Sequence, residues 1–207
     1  GMGKYGALGF DTVNDVSLPM HIADNVDYAY GSHEAMLFSR KNEGVFLLGN
    51  DDRSKSGSGG QLQQFKPLRT FDLNVSMVSS GNEHTVILKE DGSVWSVGSD
   101  GDGRLGNGNN NRPESIPQKI IDGNVTQVAS CYKHSLVIIN DGSLWGFGRN
   151  LEGQLGDGTT SNRNDPKMIV DANVTACSAG YSHSLFVKND GSLWAMGQNH
   201  KGQLGNG

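Results

Sequence analysis

The stretch that decides the fold runs His134-Ser135-Leu136-Val137-Ile138-Ile139-Asn140-Asp141-Gly142-Ser143-Leu144-Trp145-Gly146-Phe147-Gly148. Two apolar, β-branched runs flank an Asn-Asp-Gly turn, the strongest short-range signal for a β-hairpin. Leu136 to Ile139 are apolar at consecutive positions. A strand with one wet face alternates, so this one is expected to be covered on both faces.

The same block recurs along the chain. His84-Thr85-Val86-Ile87-Leu88 and His183-Ser184-Leu185-Phe186-Val187 repeat the first run, and Asp91 to Trp95 and Asp190 to Trp194 repeat Asp-Gly-Ser-(Val/Leu)-Trp. A weaker copy opens at His33, with Phe46 where the tryptophans stand. The four histidines lie 51, 50 and 49 residues apart, and Pro19, Pro67, Pro117 and Pro166 lie 48, 50 and 49 apart. Gly-x-Leu-Gly at Leu8, Leu105, Leu155 and Leu204, with a degraded copy at Leu62, keeps the same period. Each period reads as four extended pieces: Asn124–Ala129, His134–Ile139, Ser143–Gly148 and Pro166–Val170 in the third copy. The last begins with proline, which lacks an N–H and suits an outer edge. No window shows helical apolar periodicity free of Gly or Pro breaks.

Four-stranded units of about 49 residues that need cover on both faces describe the blades of a β-propeller. The expected fold is all-β with four blades: I over 25–72, II over 73–122, III over 123–171, and IV over 172–207 plus 17–22. Residues 17–22 precede any inner strand, while the last unit stops at Gly207 after three strands. That phase predicts that 17–22 complete blade IV, or the equivalent blade of another chain, because exposed strand edges aggregate.

The combined motifs Gly-x-x-His-(Ser/Thr)-Leu, Asp-Gly-Ser-Leu-Trp-x-x-Gly and Asn-x-x-Gly-Gln-Leu-Gly resemble the regulator of chromosome condensation repeat. They are clearest over Ser135–Gly158 and Gly180–Gly205, and the spacing extends the resemblance over essentially the whole chain. The first copy departs from it: Tyr30 replaces the glycine, Phe46 the tryptophan, and no Asp-Gly turn precedes Val45. The resemblance implies a propeller, usually of about seven blades. It also implies partner types that include small GTPases served by exchange factors, chromatin, and secreted enzymes held by protein inhibitors.

Composition sets the outer bounds. Thirty glycines in 207 residues is about double the usual share, and the apolar residues come in short pieces. This excludes a coiled coil, a collagen, a disulfide scaffold and a spanning helix, which needs about 20 apolar residues. The net charge of −5, without a Lys/Arg cluster, argues against a nucleic-acid or membrane-surface binder. Cys131 and Cys177 are expected as free thiols. Gly1 ahead of Met2 reads as a residue left by tag removal, and no basic-then-apolar leader is visible. A cytoplasmic compartment is therefore favoured, with secretion open if a signal was removed.

No catalytic, cofactor or metal site is expected. His84, His134 and His183 recur in register on different blades and read as structural, hydrogen-bonded to neighbouring backbone. Trp95, Trp145 and Trp194 read as wedges between blades, and Gly98, Gly148 and Gly197 as close-approach or φ > 0 positions. Gly101-x-Gly103-x-x-Gly106 and Gly1-x-Gly3-x-x-Gly6 satisfy a dinucleotide fingerprint, but Asn107 to Pro113 cannot start the helix that motif needs. Asp100 to Gly103 starts like a calcium loop, yet Arg104 stands where a ligand is required. Recognition is expected instead from the irregular loops: Asp51, Asp52, Arg53 and Lys55; Asn109, Asn110, Asn111 and Arg112; Thr160, Asn162 and Arg163. The function expected is that of a non-enzymatic protein-interaction module. The rival readings are a guanine-nucleotide exchange factor-like regulator of a small GTPase and a self-assembling ring segment that pairs with copies of itself.

Overall fold

The computed structural model describes residues 17–31, 35–40, 43–51, 63–71, 74–109 and 112–206. Fifteen strands and one 3-10 turn (Gly101–Gly103) occupy these residues. Blade I comprises β1 (Val26–Gly31), β2 (Ala35–Arg40), β3 (Gly44–Asn50) and β4 (Gln63–Phe71). Blade II comprises β5 (Val75–Ser80), β6 (His84–Lys89), β7 (Val94–Gly98) and β8 (Glu114–Ile121). Blade III comprises β9 (Val125–Cys131), β10 (His134–Ile139), β11 (Leu144–Gly148) and β12 (Arg163–Val170). Blade IV comprises β13 (Val174–Ala179), β14 (His183–Lys188) and β15 (Leu193–Gly197). Each sheet is an antiparallel meander in chain order.

The repeated motif explains the hairpins atom by atom. Asp141 Oδ1 accepts the Ser143 N–H at 2.8 Å, an Asx turn that closes the β10–β11 loop. Ser143 Oγ then accepts the indole N–H of Trp145 at 2.9 Å. Asp91-Ser93-Trp95 and Asp190-Ser192-Trp194 do the same. Gly148 ends β11 with φ 100°, and a Cβ there would lie 2.5 Å from the Lys133 carbonyl oxygen. The backbones of adjacent strands meet too closely at this point for any side chain.

The core lies between blades. Leu37, Val45 and Leu47 of blade I meet Val78, Ile87 and Val97 of blade II. Val86, Leu88 and Val94 meet Val128, Val137 and Phe147. Leu136, Ile138 and Leu144 meet Val174, Cys177 and Phe186. Leu136 and Val137, adjacent in sequence, are both fully buried on opposite faces, as their unbroken apolar run requires.

Blade IV departs from the expected four strands. Residues 17–22 join no ladder within the chain, and β15 is the last strand of its sheet among the described residues. Leu18 and Met20 are 74% and 55% exposed. Three residues, Ala23, Asp24 and Asn25, separate Ile22 from β1, the same length as the links from β8 to β9 and from β12 to β13.

Candidate functional site

Antiparallel meanders sort their connections onto two rims. One carries the turns leading out of the inner strands β5, β9 and β13, together with the long loops after β7, β11 and β15. The short Asp-Gly hairpins lie on the other. The loops after β7 and β11, two of those expected to recognise a partner, belong to the first rim.

Those loops are knit more tightly than their polar composition implied. Asn150 Oδ1 accepts the Leu155 N–H at 2.9 Å, and its Nδ2 donates to Asp157 Oδ1 at 3.0 Å. Asn162 accepts from the Asn150 N–H at 2.9 Å and donates across the blade boundary to Asp102 at 3.2 Å. Arg163 Nε donates to Asp157 at 2.6 Å. Asn162 and Arg163 are thus committed to the loop's own frame, and Asp51 is fully buried. Asn109, Arg112 and Thr160 remain exposed on the rim. Asp52, Arg53, Lys55, Asn110 and Asn111 lie outside the described residues.

Glu83 and the buried guanidinium of Arg104 pair at 2.8 Å, Lys133 reaches Asp102 at 3.2 Å, and Arg149 reaches Glu152 at 3.0 Å. The first two pairs link the turns after β5 and β9 to the loop after β7, and the third lies within the loop after β11. Arg104 Nε also donates to the Gly101 carbonyl at 2.6 Å, so the calcium-like start is filled by an arginine. The first three residues of the glycine fingerprint form the 3-10 turn, and the described residues between Gly106 and β8 form no helix.

The feature that the sequence reading missed lies at the centre of this rim. Tyr30, Asn82, Ser130, Cys131, Tyr132 and Tyr181 line a cavity of about 490 Å³ where the inner strands converge. Tyr30 Oη donates to the Ser130 carbonyl at 3.1 Å, joining blade I to blade III. Tyr132 and Tyr181 stack with ring centroids 3.8 Å apart, and Lys133 Nζ lies 5.5 Å from the Tyr132 centroid. Tyr181 is 59% exposed. Tyr132 holds φ 42°, a left-handed conformation costly for a bulky side chain. The other described non-glycine residues at positive φ are asparagine or aspartate. The available signal was a comparison of the copies: two residues before the histidine stand Gly31, Asn82, Tyr132 and Tyr181. This position varies where its neighbours repeat.

His84 and His134 are fully buried. His84 Nε2 meets Ser135 Oγ at 2.9 Å, and His134 Nε2 meets Ser184 Oγ at 2.8 Å. The partner is a hydroxyl of the following blade, not the backbone expected from sequence. Ser184 donates its only hydroxyl proton to the Gln154 carbonyl at 2.8 Å, so the His134 contact requires the proton on Nε2. Burial, with the charge of Arg104 and the neighbouring His134, lowers the His84 pKa to about 3. Burial and His183 lower that of His134 to about 4. Both imidazoles are neutral at pH 7 and held fast, which suits neither a proton shuttle nor an open metal ligand.

Trp95 and Trp145 pack half-buried against the I–II and II–III cores. Trp194, with no outer strand beside it, is 50% exposed and stacks on Phe186 at 6.0 Å. Cys131 and Cys177 are free thiols, and burial pushes the pKa of Cys177 up to about 12. Among the described residues no group of three or more His, Cys, Asp or Glu side chains is placed to hold a metal ion. No helix among them is long and apolar enough to cross a membrane.

The Regulator of chromosome condensation (RCC1) repeat matches residues 91–138 and 141–187, and a second form of it matches 75–104, 125–154 and 174–203. The human E3 ubiquitin-protein ligase HERC2 is 33% identical over 117 residues, covering 52% of this chain and 2% of that protein. The mouse secretion-regulating guanine nucleotide exchange factor is 30% identical over 130 residues, covering 58% of this chain and 28% of that protein. Among solved structures, human WBSCR16 superposes with a TM-score of 0.79 at 26% identity, over 96% of this chain and 55% of that one. Prp20p from Saccharomyces cerevisiae, described with its binding to Gsp1p and histones, gives 0.79 at 20% identity, over 92% and 49%. The chain therefore spans about half the length of these structures and a smaller share of the two relatives. Repeat, hairpin chemistry and blade packing agree: the chain belongs to the regulator of chromosome condensation repeat family.

Proposed function

We infer that the chain is a non-enzymatic protein-binding module that takes a partner protein on the rim bearing Tyr132 and Tyr181. The stacked tyrosine pair beside the central cavity carries this reading. It offers a rigid, amphipathic anchor at low entropic cost, the kind of group that concentrates binding energy at interfaces. The backbone strain at Tyr132 supports it, since such strain clusters at ligand clamps. Asn109, Arg112 and Thr160 supply an outer polar margin to the same rim.

The test is affinity capture with purified wild type, Tyr181→Ala, and Glu90→Lys on the opposite rim. A partner retained by wild type and Glu90→Lys but lost with Tyr181→Ala supports the reading. Equal retention by all three places binding elsewhere.

A second reading, an exchange factor-like regulator of a small GTPase, is favoured by two similar proteins. One is a guanine nucleotide exchange factor, and the other is described with its binding to Gsp1p. Its test is release of a fluorescent guanine nucleotide from a panel of small GTPases.

A further inference from the structure

We propose that the opening between blades I and II, on the rim of the short hairpins, binds an organic cation through its ammonium or guanidinium group. This site lies on the rim opposite Tyr132 and Tyr181, and both of its walls lie inside the described chain.

The opening exists because blade I departs from the repeat at two positions. The seams after blades II and III close alike. The Val125 N–H donates to the Gly92 carbonyl at 3.1 Å, and the Val174 N–H to the Gly142 carbonyl at 2.9 Å. A Cβ on Gly92 or Gly142 would lie 2.8 Å from the backbone nitrogen of Asn124 or Asn173. The strand registers place Glu43 at this position in blade I. Its Cβ bars the same approach, and among the described residues no backbone hydrogen bond joins Val75 to Glu43. Nearby, Leu88 and Ile138 fill the two later seams, but Ser39 stands in their register. Val125 and Val174 are 5% and 4% exposed, whereas Val75 is only half-buried. A cavity of about 500 Å³ occupies the space so left.

The groups around it are polar, with a surplus of negative charge. Ser39 is 5% exposed, and its Oγ and the Tyr28 Oη are buried without a hydrogen-bond partner. The two residues are cross-strand neighbours, and Tyr28 packs on the core shared with blade II. Burial, opposed by the Ser39 hydroxyl and reinforced by the Asp27 charge, raises the Tyr28 pKa to about 12. Asp27 sits at the irregular step of the β1–β2 ladder, where blades III and IV carry Thr126 and Thr175. Those hydroxyls donate to the Ile138 and Val187 carbonyls at 3.2 and 3.3 Å. An ionised carboxylate has no proton to donate, so Asp27 cannot pair in that way. Glu90, after β6, brings a second carboxylate to the opening. Among the described residues neither carboxylate has an ion-pair partner. Arg40 also borders the cavity, but its guanidinium pairs with Glu43 at 3.4 Å and lies 5.1 Å from the Phe46 centroid. Ser39 and Arg40, adjacent on one strand, point to opposite faces. Two unpaired carboxylates over two hydroxyl oxygens match a cation rich in N–H donors, and they repel an anion.

The experiment titrates the isotope-labelled chain at low salt with n-butylammonium, n-butylguanidinium, 1-butanol and butyrate, and reads backbone amide shifts. Saturable shifts centred on Ser39, Val75 and Ser76 are expected with the two cations and not with the alcohol or the anion. Asp27→Asn and Glu90→Gln, at exposed positions, are each expected to weaken binding at least about fivefold. Ser39→Leu gives blade I the residue type that fills the next seam. It is expected to abolish binding while raising the melting temperature. A Gly-Gly-Lys-Gly-Gly peptide, blocked at both ends, separates the two sources of such a cation. Binding as tight as that of butylammonium assigns the group to a basic side chain of a partner protein, and exclusion of the peptide assigns it to a free amine. Equal shifts with 1-butanol overturn the proposal, as do cation shifts spread evenly over Asp122, Asp171 and the other surface carboxylates. So does unchanged binding in both carboxylate variants.

Discussion

His84 Nε2 and Ser135 Oγ meet at 2.9 Å across the boundary between blades II and III. One repeat on, His134 and Ser184 meet at 2.8 Å across the next boundary. Each imidazole is fully buried and has no partner at Nδ1, so this contact is its hydrogen bond to the neighbouring blade. Ser135→Ala leaves a buried imidazole nitrogen unpaired and is expected to cost about 1–3 kcal/mol, read as a lower urea midpoint at unchanged m-value. A loss under 0.5 kcal/mol would show that the contact carries no weight.

The same burial sets a pH dependence. Free imidazole titrates near 6.5, whereas His84 and His134 do so only near 3 and 4 in the fold. Between those values the unfolded chain binds more protons than the folded one, so stability falls as pH falls. The contribution is complete above about 6.5 and is lost progressively toward pH 4. Urea unfolding at pH 7.5, 6, 5 and 4.5 is expected to show that decline, with a shallower slope in His84→Gln. An identical slope in the variant would assign the decline to other groups.

The tryptophans should separate by position. Trp145→Ala opens a gap in the II–III core and is expected to cost about 3 kcal/mol. Trp194→Ala, at an open face, is expected to cost less than half as much. Equal losses in chemical denaturation would mean that Trp194 is covered in solution.

Two glycines at similar φ provide a controlled comparison. Gly148 is at φ 100° with backbone on top of any added Cβ, while Gly153 is at φ 74° with nothing within 4 Å. Gly153→Ala should cost only the left-handed penalty, roughly 1–2 kcal/mol. Gly148→Ala adds a backbone collision and is expected to cost more, with a clearly lower melting temperature or loss of folded protein.

Much of this architecture was legible because each local signal recurs at one period. Asp141-Gly142-Ser143-Leu144-Trp145 specifies its own turn, and Leu136 to Ile139 states that both faces need cover. What stayed hidden belongs to contacts between copies. The residue that receives His84 lies 51 positions away, and nothing local marks Ser135 as that partner. Asp51 read as a solvated loop residue, yet the fold buries it. Tyr132 and Tyr181 went unnoticed because one position before the turn into the second strand had been averaged over the repeat. A fourth strand for blade IV was expected from counting strands, but its sheet holds three among the described residues.

Cys177 sits in the seam between blades III and IV with its thiol held protonated, so a thiol-specific dye cannot react while the seam is shut. Its labelling rate under native conditions therefore clocks how often the terminal sheet swings away. That gives an opening free energy for one boundary, with no denaturant and no introduced probe.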